Sequence, residues 1–259
     1  MQLENKIAAV TGGTAGIGRG ITEAFLREGA SVAIMARNAE KATLMINELD
    51  AGSRLIFFEG DATKQEDVEG FIDHTAETFG TLDIMVNNAG GAGGDLQPTV
   101  NLSNEEFDFC MKINLYSTFW ATRHALKTML TKQYGRIINI SSVEGKQGKP
   151  VVTAYSAAKH AVNGMTKSVA KEVGTENITV NAICPGLILT DIVKDTGPAT
   201  AEAMGLTFEE MVEMFVADSA IKRPNEISEV AELAVLLASE AGAGITGQQI
   251  SVDGGTSQY

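Results

Sequence analysis

No stretch of eighteen consecutive apolar residues occurs in the 259-residue chain, so a membrane-spanning helix is not expected. Cysteine is scarce, and Cys110 and Cys184 lie far apart without Cys-x-x-Cys spacing. We therefore expect two buried thiols rather than a disulfide or a metal site. The segment Met1 to Lys6 lacks the basic start and apolar middle of a secretory signal, which predicts a cytoplasmic protein.

Basic residues are in the minority. Lys and Arg number 20 against 33 Asp and Glu, so the net charge is −13, and it is spread along the chain. Such a field repels nucleic acid and anionic membranes, and any phosphate-bearing ligand must be held by local geometry. His74, His124 and His160 are isolated from one another and from cysteine, so no metal site is predicted. Because the chain has no internal repeat or Pro-rich linker, residues 1–259 are expected to form one domain.

The first forty residues read as strand, glycine turn and helix. An apolar run from Lys6 to Thr11 is typical of a buried parallel strand, and helical spacing follows from Arg19 to Arg27. Glycines between them let the backbone approach a pyrophosphate, and a helix N-terminus supplies donors. A tight turn without a ligand is the alternative, since the glycines are spaced Gly-x-x-x-Gly-x-Gly. The predicted contacts in this loop are Gly12, Thr14, Gly16, Ile17 and Gly18.

The second strand, Ser31 to Ala36, ends directly before Arg37. In dinucleotide-binding folds an acidic residue near this position accepts from the ribose hydroxyls, whereas an arginine pairs with a 2′-phosphate. The sequence therefore favours NADP(H), with NAD(H) as the alternative because Ala15 in the glycine loop is not basic. A surface arginine without a ligand is the other interpretation of Arg37.

Strands and helices continue to alternate, with strands at 55–58, 82–86, 136–140 and 178–183 and helices at 40–49, 65–79 and 103–132. This order predicts an α/β fold, a single doubly wound parallel sheet of Rossmann type with helices on both faces. Asp61, followed by Ala62, comes after the third strand, where it can accept from an adenine amino group or start a helix. A glycine cluster that begins at Gly90 follows the fourth strand and belongs at the ligand edge.

Tyr155 and Lys159 lie four residues apart, on one face of a predicted helix. An ammonium beside a phenol favours the phenolate, so this tyrosine could exchange a proton with an alcohol or ketone oxygen. The same spacing occurs by chance in many helices. Asn114 lies in the middle of the predicted helix 103–132, where an asparagine usually faces solvent.

Taken in order, the motifs resemble those of the short-chain dehydrogenase/reductase family along nearly the whole chain. The most similar members are the 3-oxoacyl thioester reductases and the stand-alone polyketide ketoreductases. The residues that carry the resemblance are Thr11-Gly12-x-x-x-Gly16-x-Gly18, Asp61, Asn87-Asn88-Ala89-Gly90, Asn114, Ser142, Tyr155-x-x-x-Lys159, Pro185-Gly186 with Thr190, and Asp253-Gly254-Gly255.

The resemblance implies roles for four catalytic residues. Tyr155 would be the general acid in reduction and the base in oxidation, and Ser142 would hold the carbonyl oxygen. Lys159 would bind the nicotinamide ribose and lower the pKa of Tyr155, and Asn114 would position a water behind it. Residues implied to contact the cofactor also include Asn88, Gly90, Pro185, Gly186, Ile188 and Thr190. Members are commonly homotetramers built on two long helices.

Residues 191–224 are the least regular, and by analogy they form a flap over the substrate. Phe208, Met211, Val212 and Phe215 follow the spacing of an amphipathic helix. They could line an apolar pocket as a lid, cover the core or form a subunit contact.

Fatty-acid reductases of this family dock an acidic carrier protein through basic residues near two helix ends. Here the matching stretches hold Lys132 as the one basic residue, together with Glu176. We therefore expect a free ketone, a secondary alcohol or a coenzyme A thioester as substrate. The leading hypothesis is an NADP(H)-dependent carbonyl reductase. The alternatives are an NAD-linked dehydrogenase of a cyclic or hydroxy-acid alcohol and a nucleotide-sensing scaffold without catalysis.

Overall fold

A single parallel sheet organises the chain in the computed structural model, which describes residues 1–93 and 96–257. Its strands are hydrogen-bonded in the order β3-β2-β1-β4-β5-β6-β7, and every pair is parallel. The strands are β1 (Ile7–Thr11), β2 (Ser31–Ala36), β3 (Leu55–Glu59), β4 (Ile84–Asn87), β5 (Gly135–Ile140), β6 (Ile178–Pro185) and β7 (Gln249–Val252). The predicted doubly wound α/β sheet is confirmed.

Helices connect the strands and cover both faces of the sheet. They are α1 (Gly16–Arg27), α2 (Ala39–Leu49), α3 (Gln65–Phe79), α4 (Asn104–Met111), α5 (Ser117–Lys132), α6 (Thr153–Val173), α7 (Asp191–Ala203), α8 (Phe208–Val216) and α9 (Ile227–Ala238). Among the described residues, no helix is long and apolar enough to span a bilayer. Helix α1 begins at Gly16, three residues before the predicted start, because Ala15 is the last residue with an extended backbone.

Two apolar clusters fill the space between the sheet and its helices. Ala8 and Val10 of β1 point into the cluster that contains α1 and α9, whereas Ala9 points into the cluster that contains α3 and α5. Successive side chains of a strand point to opposite faces, so a strand covered on both faces must be apolar throughout. This is why β1 reads as an apolar run without alternation. Cys110 and Cys184 are buried free thiols, as predicted.

Buried polar side chains tie the centre of the sheet to the helices. Asn87 on β4 donates to Asn139 on β5 at 2.8 Å and to Thr122 on α5 at 3.0 Å. Asn139 in turn donates to Thr166 on α6 at 2.8 Å. This buried network therefore ties β4 and β5 to α5 and to α6, the helix that carries Tyr155 and Lys159.

The segment 103–132 differs from its prediction as one long helix. Helix α4 ends at Met111, a π-helical turn occupies Lys112–Tyr116, and α5 follows. Asn114 lies in that turn and is fully buried, so it does not face solvent as an asparagine in the middle of a helix usually does. Its side chain finds partners inside the protein, which removes the cost of burying an amide. Helix α9 and strand β7 were not predicted.

Residues 191–224 contain α7 and α8 and are more regular than the sequence suggests. The predicted amphipathic pattern is confirmed as α8, in which Met211 is buried. A Cβ atom added at Gly197 of α7 would lie 2.3 Å from the ring of Phe208. The two helices therefore pack tightly on each other through the glycine.

Candidate active site

The sheet brings the predicted site residues to one edge. All strands are parallel, so the residues that follow them, from Gly12 after β1 to Gly186 after β6, lie at the shared carboxyl edge. The strand order reverses between β1 and β4, and ligands of open α/β sheets bind in the crevice at such a reversal.

The glycine loop is packed too closely to accept side chains. A Cβ atom at Gly18 would lie 2.2 Å from the carbonyl oxygen of Gly12. Asn88 holds the loop from β4, because its Nδ2 donates to the carbonyl oxygens of Thr11 at 2.9 Å and Gly12 at 3.1 Å. Gly12 also has a positive φ of 67°, which favours glycine. Asn88 therefore holds the glycine loop in shape. The prediction placed Asn88 beside the nicotinamide and did not include these contacts.

The N-terminus of α1 fits a pyrophosphate. Ala15 supplies no side-chain cap, so the first amide groups, including those of Ile17 and Gly18, remain without a side-chain acceptor. Thr14 is buried in the same loop. Thr190 closes the other side, because a Cβ at Gly16 would lie 3.2 Å from its Cγ2. A cradle without Cβ atoms beside uncapped amides suits a diphosphate.

The ends of β2 and β3 carry the residues predicted to hold the adenosine part. Arg37 is exposed, and Ala62 is buried. Asp61 accepts from the backbone amide and the hydroxyl of Thr63, each at 2.9 Å. Burial opposes ionisation of Asp61, but the Thr63 hydrogen bonds and the charges of Arg37 and Lys64 lower its pKa below the ordinary value. The Asp61 carboxylate is therefore ionised and accepts the hydrogen bonds of a turn.

Lys159, Asn114 and the loop after β4 form one buried group. Lys159 is 4% exposed, and its Nζ donates to the carbonyl oxygen of Ile140 at 2.8 Å. Burial lowers the pKa of this lysine to about 8. Asn114 binds the backbone of Gly91, donating at 2.8 Å and accepting at 3.1 Å. A Cβ at Gly90 would lie 2.6 Å from Asn114 Oδ1 and 3.3 Å from Lys159 Nζ, so the loop passes directly over both residues.

Tyr155 and Ser142 face each other beside this lysine. Ser142 follows β5, and Tyr155 lies in the first turn of α6, with Lys159 Nζ 5.5 Å from its ring centroid. Burial raises the pKa of the Tyr155 phenol, the neighbouring Ser142 hydroxyl opposes the rise, and the charge of Glu144 adds to it. Burial is the largest cause of this shift, so the lowering of the Tyr155 pKa expected from Lys159 is not seen in this geometry.

Glu144 and Lys149 were missed by the sequence reasoning. The Ser142 hydroxyl donates to Glu144 Oε2 at 2.7 Å, and Lys149 Nζ lies 3.4 Å from Glu144 Oε1. Lys149 Nζ also lies 5.1 Å from the ring centroid of Phe215 on α8. The available signal was a carboxylate two residues after Ser142, on the loop that follows β5.

A pocket opens beside Tyr155 between the loop after β4 and the start of α6. Its walls include Leu96, Leu102 and Val151, and its polar groups include Gln97 and Glu106, which hydrogen-bond to each other at 2.8 Å. The walls are mainly apolar, and none of the described lining residues comes from segment 191–224, which was expected to cover the substrate.

The end of β6 completes the edge. Gly186 donates to the carbonyl oxygen of Val252 at 2.9 Å, and a Cβ there would lie 2.9 Å from the Cα of Asp253. Pro185 ends the strand, and Ile188 beyond it is buried. These residues line the crevice opposite the glycine loop.

The arrangement combines a phosphate cradle with a proton donor in one crevice. Two hydroxyl groups and a buried amine lie together, and Gly90 and Asn88 connect them to the glycine loop. Such a site can hold a carbonyl oxygen, protonate it and orient a dinucleotide next to it. Within residues 1–93 and 96–257, no group of three His, Cys, Asp or Glu side chains could hold a metal ion.

Comparisons with known proteins agree with this chemistry. A family model described as short chain dehydrogenase matches residues 6–201. The D-beta-hydroxybutyrate dehydrogenase of Rhizobium meliloti is 35% identical over 96% of this chain and 98% of its own. The 3-oxoacyl-acyl-carrier-protein reductase of Chlamydia muridarum is 36% identical over 98% of both chains. A crystal structure of an actinorhodin polyketide ketoreductase variant with NADPH has a TM-score of 0.92 at 34% identity, covering 100% of this chain and 99% of that one. The resemblance drawn from the motifs is confirmed.

Proposed function

Because the chain belongs to the short-chain dehydrogenase family, whose members are oxidoreductases acting on hydroxyl and carbonyl groups, we propose that it reduces a ketone reversibly to a secondary alcohol with NADP(H). The observation that carries the proposal is the pairing of Tyr155 with Ser142 beside buried Lys159, at the edge that also holds the glycine loop.

Each residue has a task in this reaction. When bound, the reduced nicotinamide supplies the hydride that goes to the carbonyl carbon. Tyr155 donates the proton to the carbonyl oxygen, and Ser142 holds that oxygen by a hydrogen bond. Lys159 binds the ribose hydroxyls, and Asn114 keeps the loop at Gly91 in place over the lysine. The raised pKa of Tyr155 keeps the phenol protonated at neutral pH.

Replacing the proton donor tests the chemistry. Tyr155→Phe removes the hydroxyl and keeps the ring, so turnover of ketones should fall by at least about a hundredfold, the lower range for a general acid. The thermal shift given by NADP should stay close to that of the wild type. Tyr116→Phe makes the same change at an exposed ring and should retain full turnover. Equal turnover in wild type and Tyr155→Phe would mean that the proton donor is misassigned.

Cofactor preference rests on Arg37, which is exposed beside Asp61 where a 2′-phosphate would lie. The ketoreductase neighbour carries NADPH, which supports the same choice. Arg37→Ala should weaken NADP binding roughly ten- to a hundredfold and leave NAD binding unchanged, because a bond to a charged group is lost. A larger thermal shift with NAD than with NADP in the wild type would support the NAD-linked dehydrogenase instead.

The substrate is proposed to be a free ketone or a coenzyme A thioester rather than a carrier-bound one. Lys132, the basic residue near the end of α5, pairs with Asp83. Gln133 donates to Glu176 at 3.1 Å, so the adjoining surface presents a carboxylate. An acidic carrier protein would meet little positive charge there. Activity on an acyl-carrier-protein substrate far above that on the coenzyme A analogue would refute this.

The proposal also covers the oligomeric state, the flap formed by residues 191–224 and the cellular location. A homotetramer is supported by Phe109, Tyr116 and Phe119, which are 42–49% exposed along α4, the π-helical turn and α5. A lid role for residues 191–224 is supported by the contact of Lys149 with Phe215, which links α8 to the site. A cytoplasmic location agrees with the two free thiols.

A further inference from the structure

Glu144 is the charged group nearest to the hydroxyl that would hold the substrate. Its Oε2 accepts from Ser142 Oγ at 2.7 Å, and its backbone amide donates to the same Oγ at 3.2 Å. The side chain is only 14% exposed, and Lys149 holds its other oxygen at 3.4 Å. The carboxylate is therefore fixed at the catalytic centre, although carbonyl reduction as such needs no carboxylate there.

The Ser142 hydroxyl has one proton to donate, and in this structure it points to Glu144 Oε2 in a hydrogen bond. To hold a carbonyl oxygen, Ser142 must turn that proton away from Glu144, which leaves a partly buried carboxylate oxygen without its donor. Such a loss is unfavourable unless another donor takes the place of Ser142. A substrate with a hydroxyl group close to its carbonyl supplies that donor.

The distances allow this exchange for a hydroxyl on the neighbouring carbon. The reacting oxygen must lie about 2.8 Å from Ser142 Oγ to accept its hydrogen bond. In an α-hydroxy ketone the two oxygens are about 3 Å apart, as follows from standard bond lengths. Ser142 Oγ and Glu144 Oε2 are 2.7 Å apart, so a carbonyl oxygen bound to Ser142 and a hydroxyl bound to Glu144 can belong to neighbouring carbons of one substrate.

Charge in the neighbouring pocket excludes an anionic substrate. The pocket beside Tyr155 contains the carboxylate of Glu106 and, among its described lining residues, no Lys, Arg or His. Lys149, the cation next to Ser142 and Glu144, is already paired with Glu144. A substrate carboxylate would therefore meet two negative side chains and find no free partner there.

We propose that Glu144 is a substrate-recognition residue and that the site takes a neutral α-hydroxy ketone, or in the reverse direction the matching vicinal diol. The substrate hydroxyl donates to Glu144, and this releases Ser142 to hold the carbonyl oxygen. The inference rests on the carbonyl reduction proposed above and narrows its substrate from a free ketone or a coenzyme A thioester to a neutral free ketone with an α-hydroxyl group.

The test compares 3-hydroxy-2-butanone with 2-butanone, which differ by one hydroxyl group, and uses acetoacetate as the anionic ketone. With saturating NADPH, the wild type should show kcat/KM for the hydroxy ketone at least roughly tenfold above that for 2-butanone, the range of a hydrogen bond to a charged group. Acetoacetate should be the poorest of the three.

Glu144→Ala should bring the ratio of kcat/KM for the hydroxy ketone to kcat/KM for 2-butanone close to one. Glu144→Gln should raise the rate with acetoacetate. Glu77→Ala, an exposed change on α3, should leave all ratios as in the wild type. The shift in Tm given by NADPH shows that each variant is folded and binds the cofactor, and Glu144→Gln keeps the side-chain shape if the alanine variant does not fold.

Two results would overturn the inference. If ketones are reduced but the ratio is the same in wild type and both Glu144 variants, Glu144 does not recognise the substrate, and the proposed function stands. If no ketone is reduced although NADPH raises Tm, the proposed function fails and takes this inference with it.

Discussion

Replacing Gly18 with alanine tests whether the glycine loop is a cofactor cradle. The backbone at Gly18 is ordinary for an L-residue, because its φ is not positive. The added Cβ, however, would lie 2.2 Å from the carbonyl oxygen of Gly12 and 2.4 Å from Asn88 Nδ2. A backbone carbonyl cannot rotate away as a flexible side chain can, so the loop and the first turn of α1 must move apart.

The expected size of the effect has two parts. Forcing a methyl group into a packed site costs about 1–3 kcal/mol, and alanine returns about 0.5–1 kcal/mol through its helix propensity. The larger part concerns the ligand. At a hundredfold excess over Kd, a cofactor stabilises the native state by about 2.7 kcal/mol, or roughly 5–10 °C in Tm for a chain of this size. If Kd rises a hundredfold, about 0.4 kcal/mol and roughly 1 °C remain.

Differential scanning fluorimetry with and without NADP measures both parts. Gly70→Ala is the matched control, because it lies in α3 and its Cβ would meet only Phe58 Cζ at an ordinary 3.5 Å. It should raise Tm slightly and keep the full shift with NADP. A Gly18→Ala variant that keeps the wild-type shift would show that the cofactor does not depend on this turn.

Three further predictions concern stability and assembly. Asn139→Ala should lower the free energy of unfolding by about 1–3 kcal/mol in urea titrations, because it removes one hydrogen bond each from buried Asn87 and buried Thr166, while Asn47→Ala on the surface should stay within about 0.5 kcal/mol. Burial lowers the pKa of Lys159 to about 8, below its unfolded value of about 10.4, so the unfolded chain binds more protons between these pH values and wild-type stability gains from this group as pH rises. The free energy of unfolding of Lys159→Met should therefore exceed that of the wild type by the largest amount near pH 7 and by less near pH 10. A difference that does not change with pH would contradict this. Light scattering should give a tetramer of the 27.4 kDa chain that Phe119→Glu dissociates and Leu44→Glu, exposed on α2, does not.

The sheet could be predicted because burial on both faces leaves a clear mark on parallel strands. The apolar runs of β1 and β2 and the turns after them indicated where these strands lie along the chain. The π-helical turn at Lys112–Tyr116 could not be predicted in this way, because one extra residue in a turn hardly changes the apolar spacing. The side-chain contacts of Asn114 with Gly91 join segments 23 residues apart, which no local pattern contains.

The components of the site could be predicted better than its electrostatics. Spacing placed Tyr155 and Lys159 on one helix face, the family resemblance added Ser142, and the structure brings the three together. The direction of the Tyr155 pKa shift depends on how deeply the phenol is buried and on the charge of Glu144, and both follow from packing between distant segments. The sequence showed the Lys159 ammonium four residues from Tyr155. It did not show that a hydrogen bond to the Ile140 carbonyl oxygen holds this ammonium in the protein interior.

These electrostatics favour one direction of the proposed reaction. A phenol whose pKa is raised remains protonated at neutral pH, so Tyr155 is ready to act as the acid that reduction needs. Oxidation needs the same group as a base, and burial and the charge of Glu144 oppose loss of its proton. Positive charge must therefore enter the crevice before Tyr155 can accept a proton from an alcohol. Because the protein itself supplies little of that charge, we expect reduction to depend less on pH than oxidation, which should rise with pH.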